Sequence, residues 1–208
     1  MKKTIITLFA ALFAATALLA QTPAEIVARL DKETERFADE GVSFILEIKM
    51  PIVGTVATNA YILGDKYKLD ANVKGNHVMH WTDGVSDWEY DVSKNEVVIT
   101  EAKPSEESQA ESNMKMLKSV AEGYDVKLTK ETEDAWYIRC TKNKSNQVKD
   151  DPKRMDMVIS KATYLPISHK AGSGLVTVTM RNVAVGVTEE EVTFNPANYP
   201  GVKIIDRR

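Results

Sequence analysis

The sequence predicts a mainly β chain with two helices, organised as one long, curved antiparallel sheet. Period-two alternation of apolar and polar residues recurs along most of the chain, turn dipeptides separate the alternating segments, and only two stretches have a helical period. At 208 residues and 43% hydrophobic content the chain can bury a generous core and is too apolar for a disordered one.

The first twenty residues stand apart. Lys2 and Lys3 precede an apolar run from Ile5 to Ala20 that only Thr7 and Thr16 interrupt. This is the layout of a signal peptide, because a run of roughly fifteen residues falls short of the about 20 that a spanning helix needs. Cleavage is expected before Gln21, with a site after Ala17 as the alternative, leaving one domain at 21–208. Removal of Lys2 and Lys3 leaves 25 basic against 30 acidic residues, a net charge of about −5. That balance, without a cluster of Lys and Arg, argues against nucleic acid as a partner. Cys140 is the only cysteine, so no intramolecular disulfide can form and none follows the apolar run to accept a lipid.

The first helix begins at Thr22-Pro23-Ala24-Glu25, where threonine can cap, proline suits the first helical position and Glu25 completes a capping box. Ile26, Val27 or Ala28, Leu30 and Phe37 recur at near-helical spacing, and Gly41 stops the helix. From Ser43 the period changes to two: Phe44, Leu46, Ile48 and Met50 alternate with Ile45, Glu47 and Lys49. Further strands are predicted at Val56–Leu63, Lys66–Val73, His77–Thr82, Ser86–Asp91 and Glu96–Thr100. Gly64-Asp65, Gly75-Asn76, Asp83-Gly84 and Lys94-Asn95 join them as hairpins. After Lys103-Pro104-Ser105 a second helix is predicted around Gln109 to Glu122, with Met114, Leu117 and Ala121 on one face and Gly123 as its stop. Strands resume at Asp125–Thr129, Trp136–Thr141, Arg154–Ser160, Ile167–Ala171, Leu175–Val185 and Glu191–Phe194, with a polar loop from Lys142 to Lys153. So many alternating strands each need cover for an apolar face, and a long sheet of this kind tends to curl.

Sites for covalent chemistry are sparse. His77 and His80 are three apart, so a strand points them to opposite faces, and no further ligand stands at metal spacing. His169 reads as a satisfied structural histidine. Cys140 shares the phase of Trp136 and Ile138 and reads as a small buried hydrophobe. Met155 and Met157, at strand spacing, read first as core filler, although thioethers also suit surfaces that adapt to variable apolar partners. Glu189-Glu190-Glu191 reads as a solvated turn. No nucleophile elbow, phosphate-binding loop or dinucleotide fingerprint occurs, so neither a catalytic function nor a cofactor or metal is expected.

The stretch Trp81-Thr82-Asp83-Gly84-Val85-Ser86-Asp87-Trp88-Glu89-Tyr90-Asp91, with Asn95-Glu96-Val97, is similar to a hairpin of the periplasmic outer-membrane lipoprotein carrier family (LolA-like). The capped first helix, the inserted helix, the Gly123-Tyr124 restart and the ending Phe194-Asn195-Pro196-Ala197-Asn198-Tyr199-Pro200-Gly201-Val202 with Ile205-Asp206 follow that family's order. The resemblance implies an incomplete antiparallel β-barrel, a curved half-barrel covered by a helical lid over an apolar cavity. It implies a soluble, monomeric periplasmic carrier that takes acylated lipoproteins from an inner-membrane release transporter to an outer-membrane receptor. Mapped on the strand phases read above, the cavity would be lined by Phe44, Leu46, Ile48, Met50, Tyr67, Leu69, Trp88, Tyr90, Trp136 and Ile138. Its lid would carry Ile26, Leu30, Phe37, Met114 and Leu117.

The chain departs from the family pattern at Lys66-Tyr67-Lys68-Leu69, where the family has an Arg-Pro and Phe-Arg segment, so Lys68 stands at the position of the latching arginine. A lysine lacks the planar fork of that arginine. Asp87 replaces an apolar residue before Trp88. These departures keep two alternatives open: a carrier of another amphiphile such as a glycolipid, or an envelope module that senses lipids or lipoproteins.

Overall fold

The computed structural model describes residues 21–52, 54–102, 123–149, 151–173 and 176–208. The predicted signal peptide and the second predicted helix, with Met114 and Leu117, lie outside the described residues.

Helix α1 spans Pro23–Thr34 and opens on the expected capping box: Glu25 N–H donates to Thr22 Oγ1 at 3.2 Å, and Thr22 N–H donates to the Glu25 carboxylate at 2.7 Å. Ile26, Val27 and Leu30 are buried, so the apolar stripe takes Val27 and leaves Ala28 exposed. The chain bends at Glu35-Arg36 and resumes as the single turn α2, Phe37–Glu40. Gly41 ends it at φ +72°, where a Cβ would stand 2.8 Å from Val187 Cβ and 2.9 Å from Ile62 O. Glycine is required there by both conformation and space.

Twelve strands follow: β1 Val42–Met50, β2 Gly54–Leu63, β3 Lys66–Val73, β4 Asn76–Thr82, β5 Ser86–Asp91, β6 Glu96–Glu101, β7 Tyr124–Glu131, β8 Ala135–Lys142, β9 Arg154–Ser160, β10 Pro166–Ser173, β11 Val176–Val185 and β12 Lys203–Asp206. They form one sheet in the order β12-β6-β5-β4-β3-β2-β1-β11-β10-β9-β8-β7. Two antiparallel meanders, β1–β6 and β7–β11, are joined where β1 pairs with β11. Among the described residues β7 and β12 are the two edges of the sheet, which is a curled half-barrel, not a closed one. Irregularities at Ser43/Ile45, Leu128/Lys130 and Pro166/Ser168 supply the local bends that curvature needs.

Two expectations about elements need correction. The predicted strand Glu191–Phe194 is instead helix α3, Glu189–Val192, followed by a 3-10 turn at Pro196–Asn198. Thr188-x-x-Glu191 is a second capping box, with Thr188 N–H donating to the Glu191 carboxylate at 2.8 Å, and this local start signal outweighs the short alternation. β12 was not anticipated. It has four residues and pairs in parallel with β6, a non-local partnership that no hairpin signal announces. The β3–β4 turn also sits one residue early: Lys74 and Gly75 adopt φ +53° and +87°, and Asn76 already belongs to β4.

Candidate functional site

Strand register determines which side chains share a face. Starting at β8, Ile138 stands opposite Met157, Met157 opposite His169, His169 opposite Met180, and Met180 opposite Leu46. Leu46 then faces Thr58, Thr58 faces Ala71 and Ala71 faces Val78. This row and its same-phase neighbours form the inner face, the one that α1 and α2 cover. α1 places Ile26, Val27 and Leu30 in a buried cluster with Tyr124, Trp136, Ile138, Cys140, Met155, Met157 and Ile159. α2 places Phe37 in a second cluster with Val42, Phe44, Ala60, Ile62 and Met180, against which Leu46, Tyr67 and Leu69 are partly buried.

The cover is partial. Leu46, Ile48, Met50, Val56, Leu69, Ala71 and Val78 continue the apolar surface but are only half-buried. There an open recess of about 320 Å³ is lined by Thr58, Leu69, Ala71, Val78, Met79, His80 and Glu89. Its rim is polar. The Tyr67 ring meets the His80 ring edge-on at 5.4 Å, Tyr67 OH lies 3.5 Å from His80 Nδ1, and His80 Nε2 lies 3.7 Å from Asp87 Oδ1. Burial, and then the charge of Asp87, push the Tyr67 phenol above its ordinary pKa, so it stays protonated.

The sequence-predicted lining divides between the two faces. Phe44, Leu46, Ile48, Met50, Tyr67, Leu69, Trp136 and Ile138 share the inner face, whereas Trp88 and Tyr90 do not. Leu69 pairs with His80 and His80 with Glu89, so the inner phase of β5 is Asp87, Glu89 and Asp91. Trp88 and Tyr90 point to the outer face with Met79, Trp81, Val97 and Ile99, beneath Phe194, Tyr199 and Val202 of the C-terminal segment. Trp81 meets the Phe194 ring at 5.4 Å and the Tyr199 ring at 5.8 Å, and Tyr90 meets Tyr199 at 4.9 Å. The apolar phase therefore changes sides between β3 and β4, because a separate cover lies on the other face there. The aromatic pair Phe194 and Tyr199, in a segment short of strand partners, is the sequence feature that could have disclosed this cover.

Lys68 is likewise on the outer face. Its ammonium lies 5.6 Å from the Tyr61 ring centroid and 5.5 Å from that of Trp81, and it borders a recess lined also by Thr188 and Glu191. It faces away from α1 and α2 and cannot latch them. Among the lid residues, Ile26 and Leu30 lie in the first cluster and Phe37 in the second.

The remaining candidates sort by burial. Met155 and Met157 are 2% exposed and belong to the core. Burial, then the charges of Asp156 and Asp31, push the Cys140 thiol up to about 11, so it is protonated and poorly nucleophilic. His77 and His80 do point to opposite faces: His77 Nε2 is 2.9 Å from Asp70 Oδ1 on the outer side. Among the described residues no three His, Cys, Asp or Glu side chains are grouped to hold a metal. His169 differs from its expectation, since its Nε2 is buried with no hydrogen-bond partner. Among the described residues no helix is long and apolar enough to cross a membrane.

No protein-family model matches the chain, and no curated protein matches it. Solved structures resemble it at low identity. An uncharacterized conserved protein from Thermus thermophilus is 16% identical, with 90% of this chain and 100% of that one covered and a TM-score of 0.45. The MucA/MucB complex of Pseudomonas aeruginosa is matched at 11% identity and a TM-score of 0.46, over 83% of this chain and only 61% of that one. A LolA superfamily protein from Nitrosomonas europaea is matched at 7% identity and a TM-score of 0.35, over 82% of this chain and 98% of its own.

Proposed function

We propose that this chain is an exported periplasmic carrier that shelters the acyl chains of lipoproteins on the inner face of its half-barrel. On this reading it receives them from an inner-membrane release transporter and passes them to an outer-membrane receptor. The observation that carries the reading is the apolar inner face, which runs without a break from Ile138 to Val78 apart from His169 and Thr58 and is only half-covered from Leu46 to Val78. Each buried methylene is worth about 0.8 kcal/mol, so an acyl chain leaves a membrane only for another apolar site.

Ile26, Val27, Leu30 and Phe37 occupy apolar surface that acyl methylenes would also cover, so helices and cargo compete for it. Displaced helices expose that surface, and docked helices close it. Such a carrier needs no covalent chemistry and no cofactor. Direction follows from affinity, because cargo moves only toward a site that binds it more tightly or removes it.

The experiment is displacement of an environment-sensitive apolar dye from the mature protein. Acylated lipoprotein should displace the dye and its deacylated form should not. Equal behaviour of the two cargoes would eliminate the acyl-chain reading.

A further inference from the structure

The inner face carries a polar atom that its surroundings leave unsatisfied. His169 projects from β10 in register with Met157 on one side and Met180 on the other. Met157 belongs to the cluster beneath α1 and Met180 to the cluster beneath Phe37, so His169 marks the seam between the two. Its Nε2 is buried and meets no donor or acceptor. Buried polar groups are ordinarily paired, and an unpaired one is destabilising.

We propose that His169 Nε2 is the hydrogen-bonding partner of the ester carbonyl of a bound acyl lipid. This deepens the carrier reading and rests on it. The neighbours across both strands are thioethers, whose flexible side chains can yield space without losing apolar contact. Burial also disfavours the charged imidazolium, so the ring offers a neutral hydrogen bond and no charge. That chemistry suits a neutral oxygen at the head of a hydrocarbon chain and suits a phosphate poorly. The acyl ester is such a group: it enters with the chain and would otherwise be desolvated without a partner.

The test uses the mature protein loaded with an apolar dye and two competitors below their micelle concentrations, 1-palmitoyl-lysophosphatidylcholine and its 1-O-hexadecyl ether analogue. They differ in the ester carbonyl alone. The native protein should prefer the ester by about threefold to tenfold, the worth of one neutral hydrogen bond. His169→Leu should bind both equally, and His169→Gln, whose amide can still donate and accept, should recover part of the preference. An ester preference absent from the native protein, or unchanged in His169→Leu, overturns the assignment while the carrier reading survives on the dye displacement itself. Failure of both lipids to displace the dye from native protein overturns the carrier reading and this assignment with it.

Discussion

Replacing His169 by leucine should make the unliganded protein more stable, and the gain should grow as the solution is acidified. The substitution exchanges an imidazole with a buried, unpartnered Nε2 for an apolar side chain of similar bulk between Met157 and Met180. Relief of one unsatisfied buried polar group is worth about 1–3 kcal/mol. For a chain of this size that corresponds to a rise in melting temperature of about 2–12 °C.

The pH dependence has a definite sign. Burial lowers the His169 pKa below its ordinary 6.5. The unfolded chain therefore takes up a proton that the folded one refuses, and the native protein loses stability as pH falls from about 6.5 toward the depressed value, by at most about 1.4 kcal/mol per pH unit. Above pH 6.5 this loss is absent, and leucine abolishes it throughout. The facing residues Met157 and Met180 carry no charge that would offset it. Urea unfolding at pH 7.5 and pH 5.5, followed by tryptophan fluorescence, measures both effects. A variant less stable than native at both pH values, or a difference that does not change between them, refutes the reasoning.

Further outcomes follow from the same packing. Phe37→Ala removes a side chain that is 1% exposed and should lower stability by about 3–5 kcal/mol, read as a shift in the urea midpoint; a change below about 1 kcal/mol would show that α2 is not docked. Tyr199→Ala should loosen the outer cluster and alter tryptophan fluorescence while leaving dye affinity unchanged, and a loss of dye binding would contradict the assignment of Trp88 and Tyr90 to the outer face. Cys140 is fully buried, with a thiol pKa pushed up to about 11, so it should resist a thiol reagent at pH 8 until the protein is unfolded. Rapid native labelling would refute that placement.

Local signals carried most of the elements. Thr22-Pro23-Ala24-Glu25 marks α1, and Phe44 to Met50 marks β1, because capping and alternation act over a few residues. Thr188-x-x-Glu191 was equally local, yet its helix is so short that the neighbouring alternation concealed it. Part of the site was legible in the same way: Phe44, Leu46, Tyr67, Leu69, Trp136 and Ile138 share a face because each lies in the apolar phase of its own strand. His80 and Glu89 were not legible as lining, since the large apolar side chains of β4 and β5, Met79, Trp81, Trp88 and Tyr90, lie in the opposite phase, and Thr58 and Ala71 are too small to mark a face by themselves.

Read residue by residue, the chain already specifies a many-stranded antiparallel protein with a capped helix packed on one apolar face. The assembled sheet was needed to show that the apolar phase changes sides at the pairing of Leu69 with His80, and that Lys68 stacks on the outer aromatics, on the face opposite α1 and α2. The reason is that alternation is a property of one strand, whereas a face belongs to the whole sheet. Which phase is buried depends on what lies above it, and here α1 and α2 cover one side while Phe194 and Tyr199 arrive from the chain's end to cover the other.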